Sequence, residues 1–197
     1  GNDSMVSTQA PSTAWNYTYT SIYHLNHTSG TAIDTMGNFS ATDGIEPNSN
    51  MDVLGMFGRA DYFDGDDALT GNPEWAVRAP FAYEAWVRVD NSAADMTVLE
   101  DGAKVQGAGI GVDSSGNFIF GGYDASTYYS ATSTSAVDDN GWHYVVAVND
   151  ESYDMLVYVD GQLEANTSGL AGGLDPGSNN ARIAYYEGND PTYPTVG

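Results

Sequence analysis

Along most of the chain the apolar residues recur every second position in short runs, and clusters of Gly, Asn and Asp separate the runs. A period of two is that of extended strands with one face inward. The clearest case is 81–89 (FAYEAWVRV), where Phe81, Tyr83, Ala85, Val87 and Val89 share one face and Glu84, Trp86 and Arg88 the other. In 142–148 (WHYVVAV) the pattern groups Trp142, Tyr144, Val146 and Val148, and 155–159 (MLVYV) is apolar on both faces. Asp160-Gly161 then predicts a tight hairpin onto 162–165, because this dipeptide tolerates the positive φ angles of a two-residue turn. A second hairpin is predicted where 109–113 meets 117–122 across Ser114, Ser115 and Gly116. Further strands read as 22–25, 60–63, 97–99, 127–133 and 181–186. Short strands at this spacing, with no helical periodicity between them, predict an all-β protein: two antiparallel sheets in a β-sandwich, with the jelly roll as leading architecture.

Composition narrows the function classes. The chain has 197 residues, enough for one core. Residues 1–14 are small and polar without an apolar face and read as a flexible linker, so the domain is expected over 15–197. Asp and Glu number 27 against 5 Lys and Arg, a net charge of −22 that repels nucleic acid and anionic bilayers and fits a saline or halophilic setting. No apolar run reaches the roughly 18 residues of a membrane span, so no membrane insertion is expected. Cys is absent, which excludes disulfides and thiolate metal sites. Five N-x-S/T sequons, at Asn2, Asn16, Asn26, Asn38 and Asn166, permit glycosylation and suit a secreted or cell-surface protein.

Taken in order, 22–38 (IYHLNHTSGTAIDTMGN), 57–67 (FGRADYFDGDD), 83–90 (YEAWVRVD), 109–122 (GIGVDSSGNFIFGG), 141–148 (GWHYVVAV) and 155–163 (MLVYVDGQL) resemble a laminin-G-like domain of the concanavalin A-like lectin/glucanase superfamily. The resemblance spans most of the chain and implies a curved jelly-roll sandwich, non-enzymatic binding of carbohydrate or protein, and often one structural calcium. Such domains usually finish with a strand similar to G-x-I-D-E-V-R-I-Y, whereas 181–197 stops first. A closing strand is therefore expected to be cut off, replaced locally by 15–19, or donated by another chain, in that company the least expected.

The glucanase branch shows E-x-D-x-x-E or E-x-D-x-E, two carboxylates on one strand face, and no such string occurs here. Asp64, Asp66 and Asp67, and Asp150, Glu151 and Asp154, read as solvated loop acids. No nucleophile elbow accompanies the three histidines, so no enzyme is expected. Calcium takes oxygens from carboxylates, amides and backbone carbonyls in a Gly-containing loop. Asp34, Gly37 and Asn38 have that form, with Asp64 or Asp66 completing the shell, although D-x-x-G-N is also an ordinary Asx turn. Glu100-Asp101-Gly102 reads as a polar turn, and His143 as a strand-face histidine.

Sugar binding calls for an aromatic plate beside polar groups that take the hydroxyls. Trp86 and Trp142, inside strands, read as core, while Trp75, Tyr123, Tyr128, Tyr129, Tyr185, Tyr186 and Tyr193 fall at strand ends or loops. Tyr123, Asp124 and Tyr128, with Tyr185 and Tyr186, are the expected carbohydrate-binding residues. The expectation is a calcium-stabilised recognition or adhesion module for an extracellular glycan or glycoprotein, part of a larger multidomain surface protein. A structural spacer or fibre subunit, and a glycan-cleaving enzyme with an unrecognised acid pair, are the alternatives.

Overall fold

A computed structural model describes residues 18–26, 31–38, 41–45, 53–63, 68–71, 78–90, 95–103, 106–124, 127–174 and 181–184. Among the described residues thirteen strands follow in order: β1 Ala41–Ile45, β2 Val53–Gly55, β3 Gly58–Ala60, β4 Ala68–Gly71, β5 Phe81–Val87, β6 Met96–Ala103, β7 Gln106–Val112, β8 Asn117–Asp124, β9 Thr127–Ala136, β10 His143–Asn149, β11 Met155–Val159, β12 Gln162–Thr167 and β13 Arg182–Ile183. They form a seven-stranded sheet ordered β1-β4-β13-β6-β7-β8-β9, a four-stranded sheet ordered β12-β11-β10-β5, and the small hairpin β2-β3. Every pairing is antiparallel. The all-β sandwich expected from the period of two is what forms.

The core lies between the two larger sheets. Ile110, Val112, Phe118, Phe120 and Leu69 come from the seven-stranded sheet and Tyr83, Val87, Val145, Ala147, Met155 and Val157 from the other, all buried. Phe120 of β8 packs edge-on against Phe81 and Tyr83 of β5, with ring centroids 6.2 and 6.4 Å away, so quadrupole-complementary aromatic contacts bridge the layers. Along one side the sheets are stitched by polar groups. Glu164 of β12 accepts hydrogen bonds from the backbone N–H groups of Thr134 and Ser135 on β9 at 3.0 and 2.7 Å, and the Thr167 hydroxyl donates to the Ser130 carbonyl at 2.8 Å.

Several turns share one design. Asp34 accepts from the N–H groups of Met36 and Asn38, Asp113 from those of Ser115 and Asn117, and Asp150 from those of Ser152 and Asp154. In each, the third residue after the Asp has positive φ: Gly37 at 78°, Gly116 at 84° and Tyr153 at 66°. An aspartate that captures the amides two and four residues on fixes an Asx-type turn. The β11–β12 hairpin turns at Asp160 and Gly161, φ 50° and 80°, as its sequence predicts.

The differences from the sequence reading have physical causes. In β10 it is Val145, Ala147 and Asn149 that are buried, while Tyr144, Val146 and Val148 take the outer face. Both sets are apolar, so the period fixed the alternation and not its phase. Trp86 is 39% exposed rather than core, and Trp142 is half-buried before β10 begins. Glu100 and Asp101 are no turn: both are buried inside β6, and Glu100 pairs with Arg182 of β13 at 3.1 Å. Tyr129, expected at a strand end, packs against the core from within β9. At 22–25 there is a single bridge, Tyr23 to Asp34, and 60–63 contributes only Ala60 to β3. The linker at 1–14, the segment 15–17 and the stretch 185–197 lie outside the described residues.

Candidate functional site

The outward face of the four-stranded sheet carries the strongest constellation. Because side chains alternate along strands, Glu84 and Trp86 of β5 point away from the core, as do Tyr144 and Val146 of β10 and Tyr158 of β11. Register sets Trp86 opposite Tyr144, Glu84 opposite Val146, and Val146 opposite Tyr158. The Trp86 and Tyr144 rings lie 5.3 Å apart at 36°, forming a tilted plate, and Phe57 from the β2–β3 hairpin meets Trp86 edge-on at 5.4 Å and 81°. Phe57 itself is 76% exposed. The Tyr144 hydroxyl donates to Glu84. Burial and then Glu84 push the Tyr144 phenol up, and the charge on Glu84 likewise raises Tyr19. An exposed, acceptor-rich carboxylate thus sits beside a partly exposed aromatic plate.

One end of this sheet is pinned by His143. Its Nδ1 lies 2.8 Å from Asp160 and its Nε2 3.0 Å from Asp139. Two carboxylates at both ring nitrogens call for two N–H donors, the imidazolium form. Burial opposes the charge, but the hydrogen bonds to Asp139 and Asp160 prevail and the pKa is raised above 6.5. Asp160 also accepts the Tyr144 N–H at 2.9 Å, which couples the clamp to the plate's backbone.

Of the residues expected to bind sugar, Tyr123 and Tyr128 are brought together as a cross-strand pair with centroids 5.3 Å apart on the outer face of the seven-stranded sheet. The Tyr128 hydroxyl is buried over Gly121, and burial, Tyr123 and Asp95 push its pKa up to about 12. Asp124 turns to the opposite face and accepts the Gly172 N–H at 2.9 Å, holding the loop before Leu174. Tyr185 and Tyr186 lie outside the described residues, as do Trp75 and Tyr193. The plate at Trp86 and Tyr144 was missed because an aromatic inside an apolar strand reads as core. The available signal was Glu84 two residues before Trp86, a charge on the face the tryptophan shares.

Of the expected calcium ligands, the Asp34 carboxylate takes three backbone N–H groups, those of Ile22, Met36 and Asn38, each at 2.9 Å. The Asn38 side-chain amide donates to the Thr20 carbonyl at 2.9 Å, and Gly37 supplies the positive φ. The described donors are therefore arranged as a turn, and a cation there needs further carboxylates. Asp64 and Asp66 lie outside the described residues, and no group of three metal-ligating side chains able to hold an ion occurs among the described ones. No helix among the described residues is long and apolar enough to cross a membrane.

Comparison with solved structures finds the fold in toxin binding domains. The binding domain of Paraclostridial Mosquitocidal Protein 1 superposes with a TM-score of 0.66 at 12% identity, covering 83% of this chain and 44% of that one. The botulinum neurotoxin serotype D binding domain gives 0.62 at 14% identity, covering 83% and 42%. The ligand binding domain of the same serotype, solved in complex with N-acetylneuraminic acid, gives 0.61 at 16%, again covering 83% and 42%. This chain therefore spans less than half the length of those domains, and the likeness is one of fold. No curated protein matches the chain. The model of the family described as the concanavalin A-like lectin/glucanases superfamily, laminin G type, matches residues 61–196, well over half the chain and including every residue from β4 to β13. The chain belongs to that family.

Proposed function

We propose that the protein is a non-catalytic carbohydrate-recognition module, extracellular and part of a larger surface protein, whose binding site is the plate on the outer face of the four-stranded sheet. The observation that carries this reading is the Trp86–Tyr144 ring pair beside the exposed Glu84. A sugar ring lays its C–H face on an aromatic plate and offers its hydroxyls to a neighbouring carboxylate. Glu84 has Val146 and then Tyr158 as its neighbours across the sheet. That row gives it no carboxylate at the spacing glycoside hydrolysis requires, which favours binding over cleavage. The shared fold of the toxin binding domains adds only that this scaffold serves recognition elsewhere.

The test is a glycan array followed by titration calorimetry with wild type and Trp86→Ala. Selective retention by wild type, weakened about tenfold or more by the substitution, supports the reading. Equal retention by both proteins overturns the site. One feature favours the spacer reading as a second possibility: Leu54, Met56 and Phe57 at the β2–β3 hairpin are 78%, 45% and 76% exposed. If that surface serves self-association, sedimentation coefficients rise with concentration and Phe57→Ser suppresses the rise.

Structural calcium at the Asp34 loop is a separate proposal. It rests on the D-x-x-G-N loop and on the carboxylates of Asp64 and Asp66 that the sequence supplies. A fall in melting temperature on adding EDTA, reversed by calcium, supports it. An unchanged melting curve leaves Asp34 as a turn residue.

A further inference from the structure

We infer that the plate takes an uncharged sugar and selects against acidic glycans, a reading that rests on the carbohydrate function proposed above. The polar group beside the rings is Glu84, whose carboxylate oxygens accept hydrogen bonds. It already takes the Tyr144 hydroxyl and is hydrogen-bonded with Tyr19, and the acceptor positions left on this exposed carboxylate suit a hydroxyl of a stacked ring. A carboxylate or sulfate on the ligand would meet it as a like charge.

Two basic groups close to Trp86 in sequence or register, Arg88 and His143, already have partners. Arg88 lies two residues beyond Trp86, and its Nε donates to Asn140 Oδ1 at 2.8 Å. His143 is held between Asp139 and Asp160. His143 thus carries a carboxylate at each ring nitrogen, and the Arg88 Nε is taken by the Asn140 amide. Beyond these neighbours, the net charge of −22 repels an anionic ligand at long range, an effect that salt screens. Local and global electrostatics point the same way.

The experiment uses an array of neutral oligosaccharides printed beside their sialylated and sulfated forms, then calorimetry on matched pairs at about 20 mM and about 500 mM salt. The expected result is binding of the neutral member, with the acidic one weaker by about tenfold at low salt and by less at high salt. Glu84→Gln should weaken the neutral ligand and narrow the gap, while Trp86→Ala weakens both members alike. An acidic member that binds as tightly as its neutral partner at low salt, or more tightly, overturns the selectivity and leaves carbohydrate recognition standing. Failure of wild type to retain any glycan, neutral or acidic, overturns the recognition itself and the selectivity with it.

Discussion

Gly37 and Gly116 occupy the same position in two copies of one turn, yet they do not have the same freedom. A Cβ at Gly37 would meet nothing within 4 Å, whereas at Gly116 it would lie 2.2 Å from the Asp138 carboxylate. Gly37→Ala should therefore cost only the left-handed backbone penalty, about 1 kcal/mol, and Gly116→Ala that penalty plus the displacement of the Asp138 side chain, so the second should be the larger loss as read by denaturant unfolding. His143 supplies a pH signature. Its raised pKa means that the folded state holds the proton more tightly than the unfolded one. The resulting stability is fully present below pH 6.5 and is lost as pH rises through the folded value. His143→Gln should flatten melting temperature against pH across that window. On the acid side Asp139, through its hydrogen bond with His143, and Asp160, through the Tyr144 N–H, are held below 3.8, so their contributions are lost as pH falls through those lowered values. The sequence made Asp34 conspicuous as D-x-x-G-N, read first as a calcium ligand, with an Asx turn as the competing reading. The tie that tells most, from Ile22 N–H twelve residues earlier, has no local signature.

At the level of strands, the hairpins were legible because their turns carry chemistry: Asp160-Gly161 and Asp113 to Asn117 both fold as written. Strands such as β1, β4 and β13 were hidden or blurred because their few residues are ordered by neighbours distant in sequence, Ala68 to Gly71 by 41–45 and by Arg182. The inward phase of β10 was likewise decided by its partners. The seam between β9 and β12 is a tertiary device of the same kind. Burial works against the charge of Glu164, but the Ser135 and Thr134 donors keep its carboxyl below 4.5. Glu164→Ala should lower unfolding free energy by about 1–3 kcal/mol, with faster amide exchange at Thr134 and Ser135 than elsewhere in β9.

Across the whole molecule, 27 acidic residues against 5 basic ones repel one another in the compact state more than in the expanded one. Melting temperature should rise as sodium chloride is raised from about 10 mM to about 500 mM, and a chain without that rise would have its charges neutralised by bound ions instead. The order of strands carries a different consequence, for the way the chain is made. β13, residues 182–183, is inserted between β4 and β6 and is bonded to both. During vectorial synthesis β1 to β12 leave the ribosome before the strand that joins the two parts of the larger sheet exists. Until it arrives, β4 and β6 face each other as open edges, ready to pair with a neighbouring nascent chain. A stop codon placed before Ala181 should yield a product that aggregates on translation, and a peptide spanning the missing strand, supplied in trans, should compete with that aggregation.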